Sequence, residues 1–119
     1  MNNLNSILLE GNLTTDPELK DLKTTKLCTF SVATNWYYKQ DDKYVQEVSY
    51  FNVTCWGKLA GICKEYLKKG RGVRVIGRIK QERWEEGSDE PGSTTVIKKS
   101  KVVIMAENVE FKPVFKENK

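Results

Sequence analysis

Alternation of apolar with polar or aromatic side chains at residues 50–56 constrains this chain more than any other feature. Successive side chains of a β-strand point to opposite faces, so Phe51, Val53 and Cys55 share one face and are predicted core residues. The opposite face carries two aromatic rings with small polar groups between them, from Tyr50, Asn52, Thr54 and Trp56. The rings stand about 20 Å apart at about 3.3 Å per residue. Flat rings separated by hydrogen-bonding groups suit unpaired nucleic-acid bases.

Length and cysteine content limit the class of protein. The 119 residues fit one domain with a hydrophobic core. No run approaches the ~18 apolar residues of a membrane span, and the N-terminus lacks a basic-then-apolar signal, so a cytoplasmic protein is predicted. The chain has no His and no Cys-x-x-Cys spacing, which argues against a metal site or cofactor. Cys28, Cys55 and Cys63 are therefore predicted to be buried free thiols.

The lack of histidine also bears on catalysis. Histidine is the commonest general acid–base group near neutral pH, and its absence excludes Ser-His-Asp and Cys-His arrangements. A metal-dependent nuclease would need converging carboxylates, whereas Glu10 and Asp16 are isolated in the sequence. The chain is therefore predicted not to be an enzyme.

Positive charge is concentrated in one segment. The net charge is only +4, but residues 64–83 contain eight basic side chains against Glu65 and Glu82. A local basic block favours a polyanionic partner at one face. The alternative is a solvated surface without a partner.

Periodicity predicts strands interrupted by turns, with one helix. Apolar residues at three- and four-residue spacing predict a helix over 59–69, with Gly70 as its C-terminal stop. A turn is expected at residues 16–18, a hairpin tip at 39–43 and a loop at 85–93. Gly11 and Gly77 fit bends or bulges in a curved sheet. Strands are predicted near residues 4–13, 27–35, 50–56, 72–84 and 94–111.

This order of elements predicts an all-β fold. Three strands, a helix and two strands match the five-stranded OB-fold Greek-key barrel, with one α-helix between strands 3 and 4. The predicted fourth strand resembles the third. Its side that points away from the core carries basic residues, and the last side chain on that side is Trp84. This pattern favours combined phosphate contact and base stacking.

An ordered set of motifs resembles the bacterial single-stranded DNA-binding protein (SSB) family, whose members have an OB fold. The motifs lie at residues 11–14, 16–19, 30–35, 56–60, 65–70 and 75–79. The resemblance covers residues 1–111, the expected single-stranded DNA-binding domain. Residues 112–119 would be a short basic extension, without the acidic tip through which family members dock replication and repair enzymes.

The resemblance also implies site residues. Arg74 and Arg78 lie on a strand that can partly face another subunit in such proteins. Trp36 lies on the face of Tyr38 and is a second stacking candidate there. The implied base-stacking residues are Tyr38, Tyr50, Trp56 and Trp84. The implied phosphate contacts are Lys20, Lys58, Lys69, Arg78, Lys80 and Arg83.

The expected function is sequence-independent binding and protection of single-stranded DNA during replication, recombination and repair. The resemblance implies a homotetramer, a dimer of dimers, in the cytoplasm and associated with the nucleoid. One alternative is an OB-fold replication-restart factor like primosomal replication protein N. A second is a barrel that binds only proteins, which would leave the aromatic and basic face unexplained.

Overall fold

A computed structural model describes residues 1–87, 92 and 95–113 of the chain. Within these residues lie six strands and one helix. Their bounds are β1 (Ile7–Leu13), β2 (Glu18–Asp21), β3 (Lys26–Gln40), β4 (Lys43–Trp56), α1 (Gly57–Tyr66), β5 (Gly72–Gly87) and β6 (Val96–Phe111).

Strand β1 closes the sheet into a barrel because it pairs with two strands. It runs antiparallel to β5, and its last residues, Asn12 and Leu13, also pair with β3. Strand β5 pairs with β6, β6 runs parallel to β4, and β4 pairs with β3. The closed ring β1-β5-β6-β4-β3 is a five-stranded barrel with α1 between β4 and β5. The predicted OB fold is confirmed.

A short strand that the sequence pattern did not predict, β2, extends the sheet beyond β3. It pairs with β3 from Glu18 opposite Thr29 to Asp21 opposite Lys26. The predicted turn at 16–18 therefore leads directly into a strand, and the helix follows the fourth strand instead of the third. Only Leu19 of these four residues is partly buried, so no alternation marked the strand.

The helix is shorter at its C-terminal end than its apolar spacing predicts. It ends at Tyr66, where the Leu67 N–H donates to the Cys63 carbonyl at 2.9 Å. Gly70, the predicted stop, lies in the following turn with φ of 90°. Its N–H donates to the Leu13 carbonyl at 2.8 Å, so a tertiary hydrogen bond holds this segment outside the helix.

Two long hairpins extend the sheet. Strands β3 and β4 meet at Asp41 and Asp42, whose φ values of 49° and 62° match a two-residue type I′ turn. The predicted hairpin tip is confirmed. Strand β5 continues to Gly87, so residues 85–87, predicted as loop, pair with β6 instead. The rest of that predicted loop, apart from Gly92, lies outside the described residues.

The core lies inside the barrel and against α1. Val53 and Cys55 are fully buried, as the alternation in residues 50–56 predicts. The three cysteines are free and buried, which confirms their predicted state. Other fully buried side chains are Val32, Ala60, Val73 and Val75.

Two glycines occupy positions where strands approach too closely for a side chain. A Cβ at Gly11 would overlap the Ala33 carbonyl oxygen, where β1 crosses β3. A Cβ at Gly77 would overlap the Met105 carbonyl oxygen. The register shifts at this second point, which confirms the predicted irregularity.

The predicted domain boundary coincides with the end of β6 at Phe111. Residues 114–119, most of the predicted extension, lie outside the described residues. In the described part of the chain, no helix has the length and apolar character needed to cross a membrane.

Candidate nucleic-acid interface

The side of β4 that points away from the core carries aromatic rings on both sides of a polar stretch. We use the term outer face for this side of β4 together with the side chains of β3, β5 and β6 that lie on the same side of the sheet. Tyr50 is 67% exposed and Trp56 is 41% exposed, whereas Val53 and Cys55 between them are fully buried. The predicted assignment of Trp56 to the solvent side is confirmed.

A groove of about 330 Å³ is lined by Asn52 and Thr54, which lie between the two rings along β4, although neither ring lines it. Thr54 is on its floor and is only 5% exposed, although it points away from the core. Polar and charged side chains line the groove from both sides, including Thr29, Ser31, Asn52, Asp16, Glu18, Lys20 and Lys101. The groove can therefore offer hydrogen-bond donors and acceptors to a ligand.

Register places one predicted phosphate contact beside Trp56. Lys20 on β2 lies opposite Leu27 on β3, and Leu27 lies opposite Trp56. Neighbouring strands are about 4.8 Å apart, so Lys20 is about 10 Å from Trp56 across the sheet. Lys58 follows two residues later in the first turn of α1.

The predicted cations of β5 extend the outer face beyond β6. Arg78 lies opposite Met105, and Met105 lies beside Thr54 in the parallel pairing. Lys80 lies opposite Val103, which lines the groove. Lys80 and Trp84 also line a second cleft on the β5–β6 hairpin.

Lys101 joins the two clefts, and the sequence interpretation missed it. It lines both the groove and the cleft of Trp84. Its Nζ is 5.9 Å from the Trp84 ring centroid and 3.6 Å from Glu82 Oε2. Alternation in β6 would have revealed it, because Lys99, Lys101 and Val103 fall on one face.

Lys20 is the one predicted site residue that lines the groove itself, and four of the others lie away from the outer face. Trp36 and Tyr38 share the parity of the core residue Phe30, so they occupy the opposite side of the β3–β4 hairpin from Tyr50. Arg83 has the opposite parity to Trp84 on β5 and donates to Gln81 Oε1 at 2.7 Å, although it lines the same clefts of the β5–β6 hairpin as Trp84.

The fourth is Lys69, which lines a separate cleft after α1. Its backbone N–H donates to Asp16 Oδ1 at 2.8 Å, and Asp16 lines the groove. Lys69 is therefore linked to the rim of the groove through one hydrogen bond.

Arg74 is held in an ion-pair cluster on the β1 side of the barrel. Its guanidinium lies 3.1 Å from Glu10 Oε2 and 3.5 Å from Glu110 Oε2. Hydrogen bonds from Lys112 and then Arg74 hold the pKa of Glu10 below its usual range. Two carboxylates thus occupy the Arg74 guanidinium, whereas Lys101 at the groove has one ion-pair partner among the described residues, Glu82.

Among residues 1–87, 92 and 95–113, no group of three or more His, Cys, Asp or Glu side chains could hold a metal ion. The groove is lined by hydroxyls, an amide, two lysines and two carboxylates, and the rings of Tyr50 and Trp56 stand beyond it on the same face. Such a surface can stack flat rings and neutralise phosphates.

The barrel, closed by β1, defines a protein of the OB-fold class. The model of the single-strand binding protein family matches residues 4–112. The chain belongs to the single-strand binding protein family.

Curated relatives agree with this assignment. The single-stranded DNA-binding protein of Treponema pallidum (strain Nichols) is 39% identical over 112 residues, covering 93% of this chain and 59% of the relative. That of Borreliella burgdorferi is 34% identical over 112 residues, covering 93% of this chain and 71% of the relative. The chain therefore spans only about three fifths of the Treponema protein.

Solved structures support the fold. A Plasmodium falciparum SSB in complex with ssDNA superposes with a TM-score of 0.79 at 23% identity, covering 95% of this chain and 98% of that one. The Thermus aquaticus single-stranded DNA binding protein, as a deletion mutant, gives 0.77 at 22% identity, with 92% and 51% coverage. These findings do not favour the primosomal alternative.

Proposed function

We propose that the protein binds single-stranded DNA without sequence preference and without catalysis. The observation that carries this proposal is the outer face, where the exposed rings of Tyr50 and Trp56 stand on the same strand as Asn52 and Thr54, which line a polar groove that includes Lys20 and Lys101. The family assignment and the names of the relatives support it. Coating unwound strands would protect them during replication, recombination and repair.

The groups on the outer face explain how such binding would work. Lysine and arginine neutralise phosphates and release counterions, so affinity should fall steeply with salt. Rings stack on bases of any sequence, each contributing about 1–3 kcal/mol by alanine substitution. Duplex DNA should bind poorly because its bases are already stacked.

The residue assignment is part of the proposal. Stacking is assigned to Tyr50 and Trp56 at the groove and to Trp84 on the β5–β6 hairpin. Tyr38 and Trp36 would add stacking only if the strand also reached the opposite side of the β3–β4 hairpin. Phosphate contact is assigned to Lys20, Lys58, Lys69, Arg78, Lys80 and Arg83.

We further propose that residues 1–111 are the DNA-binding unit and that it assembles as a homotetramer in the cytoplasm, on nucleoid DNA. Strand β1 supports the assembly, because Leu8 is exposed on its outer side. Its pairing with β3 covers only Asn12 and Leu13, so one edge of the preceding residues is open to a second copy. Light scattering would give a tetramer mass, whereas a dimer mass would contradict the assembly.

Tryptophan fluorescence titrated with oligo-dT tests the central proposal, with a matched duplex in parallel at low and high salt. Stacking predicts strong quenching by the single strand, weakened by salt and nearly absent with the duplex. Incubation of the strand with Mg²⁺ should leave it intact. An absence of quenching at low salt would contradict the proposal and favour a protein-binding barrel.

A further inference from the structure

The outer face of the β3–β4 hairpin carries aromatic side chains to which no role has yet been assigned. Tyr44 is 82% exposed and Tyr37 is 64% exposed. The register of this hairpin is unbroken, with Tyr44 opposite Lys39 and Tyr37 opposite Gln46. Both rings therefore lie on the same side of the sheet as Tyr50, which continues the outer face towards the hairpin tip.

The spacing of aromatic side chains along β4 is regular. Tyr44, Tyr50 and Trp56 are six residues apart, an even number that keeps all three on one face. Each interval is about 20 Å, so the row is about 40 Å long. This length exceeds the stretch between Tyr50 and Trp56 that the groove occupies.

The polar side chains between the rings repeat as well. Asn52 and Thr54 separate Tyr50 from Trp56. Between Tyr44 and Tyr50, Gln46 Nε2 donates to Asn35 Oδ1 at 3.0 Å on the outer face. Val48, which is 40% exposed, also lies on this face between Gln46 and Tyr50. The hairpin thus repeats the arrangement of the groove in part, with one polar pair and one apolar side chain between two rings.

A cation stands beside the outermost ring. Lys39 lies directly opposite Tyr44, and its Nζ is 3.8 Å from Asp42 Oδ1. Both side chains of this ion pair are largely exposed, so the pair is weak. A phosphate could therefore replace the Asp42 carboxylate as the partner of Lys39.

We propose that Tyr44, with Tyr37 beside it, is an additional base-stacking site on the outer face, and that Lys39 contacts phosphate there. The bound strand would then extend from the groove to the hairpin tip. This proposal depends on the proposed binding of single-stranded DNA. Single-stranded nucleic acid fits the rings better than a second copy of the chain does, because the hydrogen-bonded pair of Gln46 and Asn35 interrupts the apolar surface of Tyr44, Val48 and Tyr50, whereas protein interfaces have a contiguous apolar centre.

Affinity measured against oligo-dT length tests the proposal in the chain of 119 residues. Lengths from about 4 to about 16 nucleotides cover the range known for OB folds. Tyr44→Ala should weaken binding of the long oligonucleotides roughly 5- to 150-fold, the equivalent of one lost stacked base. It should leave the shortest ones unaffected if they occupy the groove. Tyr44→Phe keeps the ring and should bind the long oligonucleotides like the parent. Tyr44→Leu removes the ring and should bind them more weakly than the parent.

Photo-cross-linking gives a direct readout of contact. Oligonucleotides with 5-iododeoxyuridine substituted at successive positions should attach to Tyr44 at one position and to Trp56 at a distant one. Fragmentation of the peptides would identify each attached ring. Exclusive attachment to Trp36 or Tyr38 would contradict the proposal, because the strand would then follow the opposite side of the hairpin.

Three results separate this proposal from the one it depends on. If Trp56→Ala weakens binding and Tyr44→Ala does not weaken it at any oligonucleotide length, the proposal of a stacking site at Tyr44 is wrong, whereas the proposal that DNA binds at the groove is supported. If the parent protein binds no oligo-dT, the proposed function itself is wrong. If Tyr44→Ala lowers the solution mass and leaves affinity unchanged, the rings pack against a second copy and the proposal is overturned.

Discussion

The indole of Trp84 is fixed by Glu86, two residues further along the same strand. Its Nε1 donates to Glu86 Oε1 at 3.0 Å, and the other carboxylate oxygen lies 2.8 Å from Lys99 Nζ. Lys101 stands near the ring at 5.9 Å from its centroid. The ring is therefore oriented by its neighbours before any ligand arrives, which limits the conformational entropy that binding would remove.

Removal of the Glu86 carboxylate should loosen this ring. Hydrogen bonds from Lys99 and then Trp84 hold the pKa of Glu86 below its usual range. The contact is therefore present at neutral pH and is lost only as the pH falls through that lowered pKa. In a Trp36→Phe, Trp56→Phe background, Trp84 emission should stay constant until the pH is below the range where ordinary glutamates titrate.

Two variants separate the charge of Glu86 from its hydrogen bond. Glu86→Gln keeps an acceptor but carries no charge, as the protonated carboxyl does, so its emission should match that of the acidified parent at every pH and the acid transition should disappear. Glu86→Ala should raise the mobility of the ring, measured by fluorescence anisotropy, and weaken quenching by oligo-dT. Unchanged anisotropy in Glu86→Ala would mean that other contacts orient the ring.

Lys101 and Arg74 form a matched pair for testing the phosphate-binding surface. Lys101 lines the groove, whereas Arg74 is bound by Glu10 and Glu110. For single strands, each neutralised phosphate contributes about −0.7 to the slope of log K against log salt. Lys101→Ala should flatten the slope by about this amount, and Arg74→Ala should leave it unchanged. The reverse result would place the strand on the β1 side of the barrel.

Trp56 and Phe30 separate binding from stability. Phe30 is buried in the core, so Phe30→Ala should lower the free energy of unfolding by about 3–5 kcal/mol. Trp56→Ala removes a partly exposed ring and should change stability far less, while weakening oligo-dT binding by about 1–3 kcal/mol. Urea denaturation and fluorescence polarisation measure the two effects. A Trp56→Ala chain that unfolds would show that the ring is structural.

Gly77→Ala should be the most damaging small substitution. The new Cβ would meet backbone atoms of Met105, with the carbonyl carbon at 2.9 Å, where neither strand can shift alone. A loss of about 1–3 kcal/mol or more is expected. Gly61→Ala in α1 is the control, because no atom lies within 4 Å of its Cβ position. It should add up to about 1 kcal/mol of stability by helix propensity. Thermal denaturation would compare both, and equal melting temperatures would contradict this role for Gly77.

Strand alternation was sufficient to predict the part of the site that lies on β4. It separated Tyr50 and Trp56 from Val53 and Cys55 because that strand has one face in the core. It could not locate β2, whose four residues carry no pattern. Nor could it predict the end of α1, which depends on a hydrogen bond from Gly70 to Leu13, distant in sequence.

The resemblance to a family predicted which residues bind DNA, but it did not predict where their side chains lie. It assigned Tyr38 and Arg83 to the site, and the register places both on the opposite sides of their strands from Tyr50 and Trp84. It did not reveal Lys101, whose face alternation in β6 indicates but whose place between the two clefts depends on the pairing of β6 with both β4 and β5. Pairing between distant strands is a tertiary property that no local pattern contains.

The three buried cysteines make the opening of this barrel measurable by alkylation, without introducing a residue or a label into the protein. Thiols react only when reagent reaches them, so their alkylation rate reports how often the structure opens. Cys28 lies in β3, Cys55 in β4 and Cys63 in α1. Mass spectrometry of the alkylated peptides would show whether the helix detaches before the strands separate, and whether bound DNA slows one event or both.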